Sequence, residues 1–233
     1  MTMTIQERID AARKAQAQIL DYTQEQVDKL VFEIAKVIYL NAEPLAKMAV
    51  EETRLGKYED KIGKNTDTPT AFWAYLKDKK SVGVIREIPE EGIIEVAHPI
   101  GVIGAVTPAT NPTVTPLGNA MHALKGKNAL VITPAPRAEK TSTRTVELMR
   151  EALVKCGAPA DLIQIIEEIT IEKSAELMEK CDLVIATGGP GLTKAAYSSG
   201  TPAYGVGPGN PPVILDRGYD LVDAAKKTFI AVG

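Results

Sequence analysis

Apolar positions near the start of the chain recur at the spacing of a helix. They lie three or four residues apart, as on one face of an α-helix, at Val27, Leu30, Val31, Ile34 and Ile38. Thr23 and Gln26 form a capping-box pattern just before them. The pattern predicts helices between residues 5 and 56, with a second helix that begins at Asn41 and ends at Gly56.

The period of the pattern changes near residue 81. SVGVIREI (81–88) and IIEVAHPI (93–100) alternate like strands and are separated by the turn residues PEEG, which predicts a β-hairpin. We therefore predict two parts: an N-terminal helical segment with a hairpin over residues 1–97, and a second domain over residues 98–233.

In the second part, short apolar runs alternate with helical patterns. The strands predicted from these runs span residues 101–107, 128–133, 161–166, 182–187 and 211–216. The helices between them span residues 113–124, 141–155, 171–180 and 192–198. This order predicts an α/β fold in which right-handed crossovers place helices on both faces of a parallel sheet. Ligands of such sheets bind at the carboxyl ends of the strands.

Composition narrows the class of protein further. The chain has 233 residues, 45% of them hydrophobic, and a net charge of −3, which is typical of a soluble globular protein. We find neither a run of 18 apolar residues nor a signal-peptide pattern, so we expect a cytoplasmic protein with no membrane partner. Scattered basic residues argue against nucleic-acid binding. Two cysteines and two histidines make a structural zinc site improbable.

Three loops lie at the predicted carboxyl ends: TPATNP (107–112), TPAPRAEK (133–140) and TGGPG (187–191). Glycines between a strand and a helix let main-chain amides approach a pyrophosphate at the helix N-terminus. The third loop could do this, although it is neither a full G-x-G-x-x-G nor a P-loop motif. The alternative is a tight turn before a packed helix, with Thr187 as a turn hydroxyl and Lys194 as a solvated charge.

The sequence resembles the aldehyde dehydrogenase superfamily in three stretches between residues 98 and 216. They are HPIGVIGAVTPATNPT, LKGKNALVITPAPRAEKTS and LVIATGGPGLTKAAYSSGTPAYGVGPGNPPVILD. The resemblance is closest to the CoA-acylating branch. It implies a Rossmann-like cofactor domain over residues 98–233, and oxidation of a small aldehyde to acyl-CoA through a cysteine thioester. NAD or NADP would be the cofactor and coenzyme A the co-substrate. It also implies a homo-oligomer.

The resemblance also implies roles for particular residues. The implied cofactor-binding residues lie in the three loops and are Thr107, Pro108, Thr133, Pro134, Pro136, Arg137, Thr187, Gly188, Gly189 and Gly191. Asn111 is implied as the side-chain donor to the oxyanion, although hydrolytic members carry this Asn one position earlier. The alternatives are that Asn111 satisfies a turn before Pro112 and that Arg137 is a surface cation.

Two departures from hydrolytic members favour the acylating branch. TPAPRA replaces the Lys and Glu that grip the ribose in many of them, and leaves Arg137 to offer a guanidinium to a phosphate of NAD(P) or CoA. GVGPGN (205–210) has no carboxylate where hydrolytic members place the glutamate that activates water. Water is a far weaker acid than a thiol and needs such a base, whereas a thiol with a pKa of about 8.5 ionises more readily. Thiolysis by CoA is therefore favoured over hydrolysis.

The family's catalytic cysteine follows GVGPGN by a few tens of residues, and the chain ends before that point. Cys156 and Cys181 are better interpreted as packing residues, and His98 and His122 as structural. We therefore expect a chain truncated before the catalytic cysteine, with the catalytic domain absent. The alternative is a catalytically inactive nucleotide-binding or assembly module derived from an aldehyde dehydrogenase.

Overall fold

The computed structural model describes residues 3–209 and 212–232. Its helices are α1 (Ile5–Ala17), α2 (Gln24–Leu40), α3 (Ala42–Thr53), α4 (Tyr58–Leu76), α5 (Val114–Lys125), α6 (Glu139–Lys155), α7 (Ile171–Lys180), α8 (Pro190–Tyr197) and α9 (Leu221–Val232). Its strands are β1 (Gly83–Ile88), β2 (Ile93–Ala97), β3 (Val102–Thr107), β4 (Ala129–Pro134), β5 (Ile163–Ile165), β6 (Leu183–Thr187) and β7 (Ala203–Val206).

The N-terminal helices form where the pattern predicts them. Thr23 caps α2 in a complete capping box with Gln26, and the apolar stripe of α2 is buried. The predicted end of the second helix at Gly56 is three residues late, because α3 ends at Thr53. Arg54 then takes a left-handed conformation with φ 58°. This is the conformation in which glycine commonly ends a helix.

Five parallel strands form the central sheet in the order β5-β4-β3-β6-β7. The chain moves outward from β3 through β4 to β5 and then returns to the other side of β3 at β6. Right-handed crossovers consequently place α5 and α6 on one face and α7 and α8 on the other. The predicted α/β fold with helices on both faces of a parallel sheet is confirmed.

The prediction of a last strand over residues 211–216 is wrong. Residues 212–216 have no strand conformation, and residue 211 lies outside the described residues. The fifth strand is instead β7, whose Ala203 to Val206 pair with Val184 to Thr187 of β6. α9 was not predicted either.

One hydrophobic core joins the N-terminal helices to the sheet. It includes Ile9 of α1, Ile34 of α2 and Leu45 of α3 together with Leu130 of β4 and Val184 of β6. The predicted hairpin is confirmed as β1 and β2, which pair antiparallel. The division at residue 98 remains a prediction, because α1, α2 and α3 share their core with the sheet.

Candidate functional site

A cleft lies where the strand order reverses between β3 and β6. Parallel sheets bind ligands at this position, beyond the carboxyl ends of the strands. A cavity of about 760 Å³ opens there, a size typical of small-molecule sites. Its walls come from the loops after β3, β4 and β6 and from α7 and α8.

Eight of the ten predicted cofactor-binding residues line this cavity. They are Thr107, Pro108, Pro134, Pro136, Thr187, Gly188, Gly189 and Gly191. Thr133 lies just behind the wall, buried, with its Oγ1 3.1 Å from Oγ of the lining residue Ser174. Arg137 does not line the cavity, because its Nη2 donates to the main-chain oxygen of Thr53 at 2.9 Å. This contact with the last residue of α3 directs the guanidinium to a main-chain oxygen and does not favour the predicted phosphate contact.

The hydroxyl of Thr107 is buried in the cleft without a hydrogen-bond partner within the described residues. Thr107 ends β3 and is 2% exposed, and its Oγ1 contacts neither donor nor acceptor. The Thr107 main-chain oxygen, by contrast, accepts from the Ala135 amide at 3.0 Å. A buried hydroxyl with no partner costs about 1–3 kcal/mol. An unsatisfied polar atom in a cavity wall fits a site that a polar ligand completes.

The glycine turn exposes main-chain amides to the same cavity. Gly189 is the N-cap of α8 and Pro190 opens the helix, so the next amides have no partner inside the helix. A Cβ at Gly189 or Gly191 would meet nothing within 4 Å, which leaves room for a ligand to approach the backbone. A helix N-terminus with accessible amides favours an anion such as a pyrophosphate.

Sequence reasoning missed the contribution of α7 to the cleft. The cavity residues of α7 and of the segment just before it are Ile169, Thr170, Ile171, Ser174, Ala175 and Met178. The rule that ligands bind at the carboxyl ends of parallel strands could have predicted these residues, because the loop after β5 also begins at such an end. The crossover from β5 to β6 must pass β4 and β3, and this path brings the start of α7 to the cleft.

Asn111 lies outside the residues that line the cavity, in the turn between β3 and α5. Its Oδ1 accepts from Lys64 Nζ of α4 at 3.3 Å. The contacts from α4 to this turn were not predicted from the sequence. The role of Asn111 as an oxyanion donor remains a prediction.

Neither cysteine lines the cavity. Cys181 is part of the buried core, its thiol donates to the Leu183 main-chain oxygen at 3.3 Å, and burial raises its pKa. Burial, followed by the charge of Glu33, raises the pKa of the half-buried Cys156. Both thiols are therefore held in the neutral form, which is a poor nucleophile.

The two histidines also lie away from the cavity. His122 Nδ1 is 2.7 Å from the Gly118 main-chain oxygen, and its ring packs edge-on against Phe72 with centroids 5.6 Å apart. His98 is exposed after β2. Within residues 3–209 and 212–232, no cluster of three His, Cys, Asp or Glu side chains could hold a metal ion.

The order of the parallel strands and the cleft at the strand reversal define a doubly wound α/β protein. The family model described as "Aldehyde dehydrogenase family" matches residues 2–232, and the chain belongs to that family.

Similar proteins include acylating members. The succinate-semialdehyde dehydrogenase (acetylating) of Clostridium kluyveri is 54% identical over 224 residues, which are 96% of this chain and 49% of that protein. The crystal structure of an acetylating aldehyde dehydrogenase from Geobacillus thermoglucosidasius has a TM-score of 0.86 and 43% identity, covering 88% of this chain and 46% of that one. A propionaldehyde dehydrogenase from Rhodopseudomonas palustris, solved with bound CoA and an acylated cysteine, has a TM-score of 0.78 and 34% identity, covering 91% of this chain and 48% of that one.

The chain thus spans about half the length of the curated relatives such as the Clostridium protein. Among the helices described, none is both long and apolar enough to cross a membrane.

Proposed function

We propose that this chain is the cofactor-binding part of an NAD- or NADP-dependent acylating aldehyde dehydrogenase. The reaction converts a small aldehyde and coenzyme A reversibly to acyl-CoA. The observation that carries the proposal is the buried, unpartnered hydroxyl of Thr107 in a cleft bordered by accessible amides. The similarity to acylating relatives, one of them solved with CoA and an acylated cysteine, supports the acylating branch.

The lining residues fit a dinucleotide by charge and shape. The α8 N-terminus and the amides after Gly189 are suited to a pyrophosphate, and Thr107 Oγ1 gains the partner that it lacks. Pro108, Pro134 and Leu192 supply apolar walls against which a dinucleotide can pack. When bound, the nicotinamide supplies a hydride acceptor for aldehyde oxidation, or a hydride donor in the reverse direction.

The segment after β7 also bears on how the acyl group leaves. Gly205 to Gly209, in the segment that would place a water-activating carboxylate in hydrolytic members, carry none. Because the CoA thiol ionises far more readily than water, transfer to CoA does not require that base. CoA thiolysis is therefore the proposed fate of the acyl group.

One observation favours a second candidate, a nucleotide-binding module without chemistry of its own. Both thiols have raised pKa values and lie away from the cavity. In either case the chain alone is expected to bind nucleotide weakly and to form no NADH from an aldehyde and CoA. The two candidates differ in the full-length protein that contains this chain, where only the enzyme shows CoA-dependent NADH formation.

The Thr107→Val variant tests the binding site itself. Valine has the shape of threonine without the hydroxyl, so it removes an unsatisfied buried group and should raise the free energy of unfolding by about 1 kcal/mol. The same change should weaken NAD binding about fivefold, if the hydroxyl bonds to the cofactor. Urea unfolding and calorimetric titration with NAD, NADP and CoA measure the two effects. Unchanged affinity for all three ligands would refute the assignment of Thr107.

A further inference from the structure

Residues of α4 contact the turn on both sides of Asn111. On the N-terminal side, Lys61 Nζ donates to the main-chain oxygen of Thr110. Lys61 is 5% exposed, so its ammonium lies inside the protein against a neutral carbonyl. Burial, assisted by the charge of Lys64, lowers its pKa. A buried ammonium costs stability that an apolar side chain would not, and this cost points to a role other than packing.

On the C-terminal side, the contact is a pair of buried side chains. Thr113 Oγ1 donates to Asn65 Oδ1 at 2.6 Å, and Asn65 Nδ2 donates to the Ala42 main-chain oxygen at 3.0 Å. Asn65 and Thr113 are 1% and 2% exposed. Asn65 is thus fixed by α3 and in turn fixes the residue that precedes α5. The two contacts lie one residue before and two residues after Asn111.

Lys64 sets which end of the Asn111 amide faces α4. Its ammonium can only donate, so the atom that it meets at 3.3 Å is the acceptor Oδ1. The other end of the same amide, the donor Nδ2, consequently points away from Lys64. An amide in this orientation can donate to an oxyanion, whereas the flipped amide would present an oxygen.

We propose that Lys61 and Asn65 of α4 are positioning residues for Asn111, with Lys64 fixing the orientation of its amide. The inference rests on the proposed function and on the predicted role of Asn111, whose Nδ2 would donate to the oxyanion. A donor must lie within a fraction of an ångström of its productive position to stabilise developing charge. The three contacts from one helix restrict the turn in this way, and none of the contacting residues lines the cofactor cleft.

The test uses the full-length protein that contains this chain and measures CoA-dependent NADH formation. Lys61→Met removes the ammonium with little loss of volume. Thr113→Val removes only the hydroxyl that bonds to Asn65, and Thr113→Ser restores a hydroxyl. Thr70→Val is the matched control, because Thr70 also lies on α4 but its hydroxyl bonds only within the helix, to the Thr66 main-chain oxygen.

We expect Lys61→Met and Thr113→Val to lower kcat by about ten- to a hundredfold, the effect of a misplaced catalytic group. KM for the cofactor should stay the same, because the cleft is not altered. Thr113→Ser should recover most of the rate, and Thr70→Val should equal the parent. The double variant Lys61→Met with Asn111→Ala should be no slower than Asn111→Ala alone, since Lys61 acts through Asn111.

Three results would overturn the inference. One is an unchanged kcat in Lys61→Met and Thr113→Val, and another is a rate loss in the double variant equal to the product of the two single losses. The third is a thermal midpoint that falls in proportion to kcat and is not restored in Thr113→Ser, which indicates general destabilisation. Failure of the proposed function is distinguishable, because the parent protein would then form no NADH with any aldehyde and CoA.

Discussion

At the scale of single residues, the two thiols show how the environment fixes chemistry. Burial raises the pKa of both Cys181 and Cys156, so the folded protein holds these protons more tightly than the unfolded chain does. The stabilisation that results from these raised pKa values is fully present below the ordinary thiol pKa, about 8.5. It is lost as the pH rises through the raised values of the folded state.

We expect both thiols to react slowly with a disulfide reagent such as dithionitrobenzoate at pH 7.5. The half-buried Cys156 should react more slowly than free glutathione, and the buried Cys181 should react only on unfolding. Stopped-flow absorbance of the parent, Cys156→Ser and Cys181→Ala chains measures this. A thiol that reacts faster than glutathione would indicate an activated cysteine and contradict the packing role.

Gly191 is expected to show opposite effects on stability and binding. It is the second residue of α8, and a Cβ there meets nothing. Gly191→Ala should raise the free energy of unfolding by about 0.5 kcal/mol, because alanine has less freedom to lose. It should also weaken NAD binding, because the methyl group enters the cavity that Gly191 lines.

Gly63→Ala is the control for this substitution. Gly63 lies inside α4, where a Cβ also meets nothing, and it is not a cavity residue. Urea unfolding should show a similar gain for both variants, and titration with NAD should separate them. Equal NAD affinity in the two variants would argue against close approach of a ligand to the glycine turn.

At the scale of elements, the parallel strands that are buried on both faces were all predicted from the sequence. β3, β4 and β6 are continuous apolar runs, as central parallel strands must be. β7 was not predicted, because it is four residues long, contains Gly205 and exposes Tyr204 and Val206. The stronger apolar run of residues 212–216 was preferred, although Ile214 is 92% exposed. Local pattern does not distinguish a strand from an apolar segment on the surface.

The candidate site was predictable to the extent that topology defines it. Loops at the carboxyl ends of adjacent strands must converge, and eight of ten predicted residues do so. Arg137 and the α4 contacts were not predictable in this way. Arg137 bonds to a residue 84 positions earlier, and Lys61 to one 49 positions later, and such partners depend on tertiary packing rather than on local pattern.

The start of α6 gives a prediction about how α3 stabilises a neighbouring helix. Glu52 accepts from the amides of Lys140 and Thr141, both at 2.8 Å, and from the Thr141 hydroxyl at 2.6 Å. A carboxylate that caps free amides at a helix N-terminus contributes about 1–2 kcal/mol. Glu52→Ala should lower the free energy of unfolding by this amount.

Its neighbour on α3 supplies the control for the capping contribution. Glu51 is exposed and lies 4.0 Å from Lys47, so Glu51→Ala should change the free energy of unfolding by less than about 0.5 kcal/mol. Urea unfolding of both variants decides the comparison. Equal losses would show that charge, rather than capping of α6, is responsible.

At the scale of the whole molecule, exposed apolar side chains cluster in two regions. One is the hairpin, where Ile94 of β2 is 62% exposed. The other is the C-terminal segment, where Ile214 and Phe229 are 92% and 80% exposed. Clustered exposed apolar residues in a soluble domain mark surfaces that another chain or domain covers. The expected homo-oligomer would use such a surface.

We expect the 233-residue chain to associate as its concentration rises. Ile94→Lys should weaken association through the hairpin, because a charge in an apolar contact must be desolvated. Ile214→Lys tests the C-terminal region in the same way. Val154→Lys is the matched control, because Val154 is 59% exposed on α6, away from both regions.

Sedimentation velocity over a hundredfold range of concentration measures the association. If Ile94→Lys alone restores a monomer, the hairpin is the contact between copies. If Ile214→Lys alone does so, the C-terminal segment is the contact between copies. A parent chain that stays monomeric throughout, without binding an apolar dye, would contradict both. The hairpin and the C-terminal segment would then be stable in solvent, and neither would need a partner.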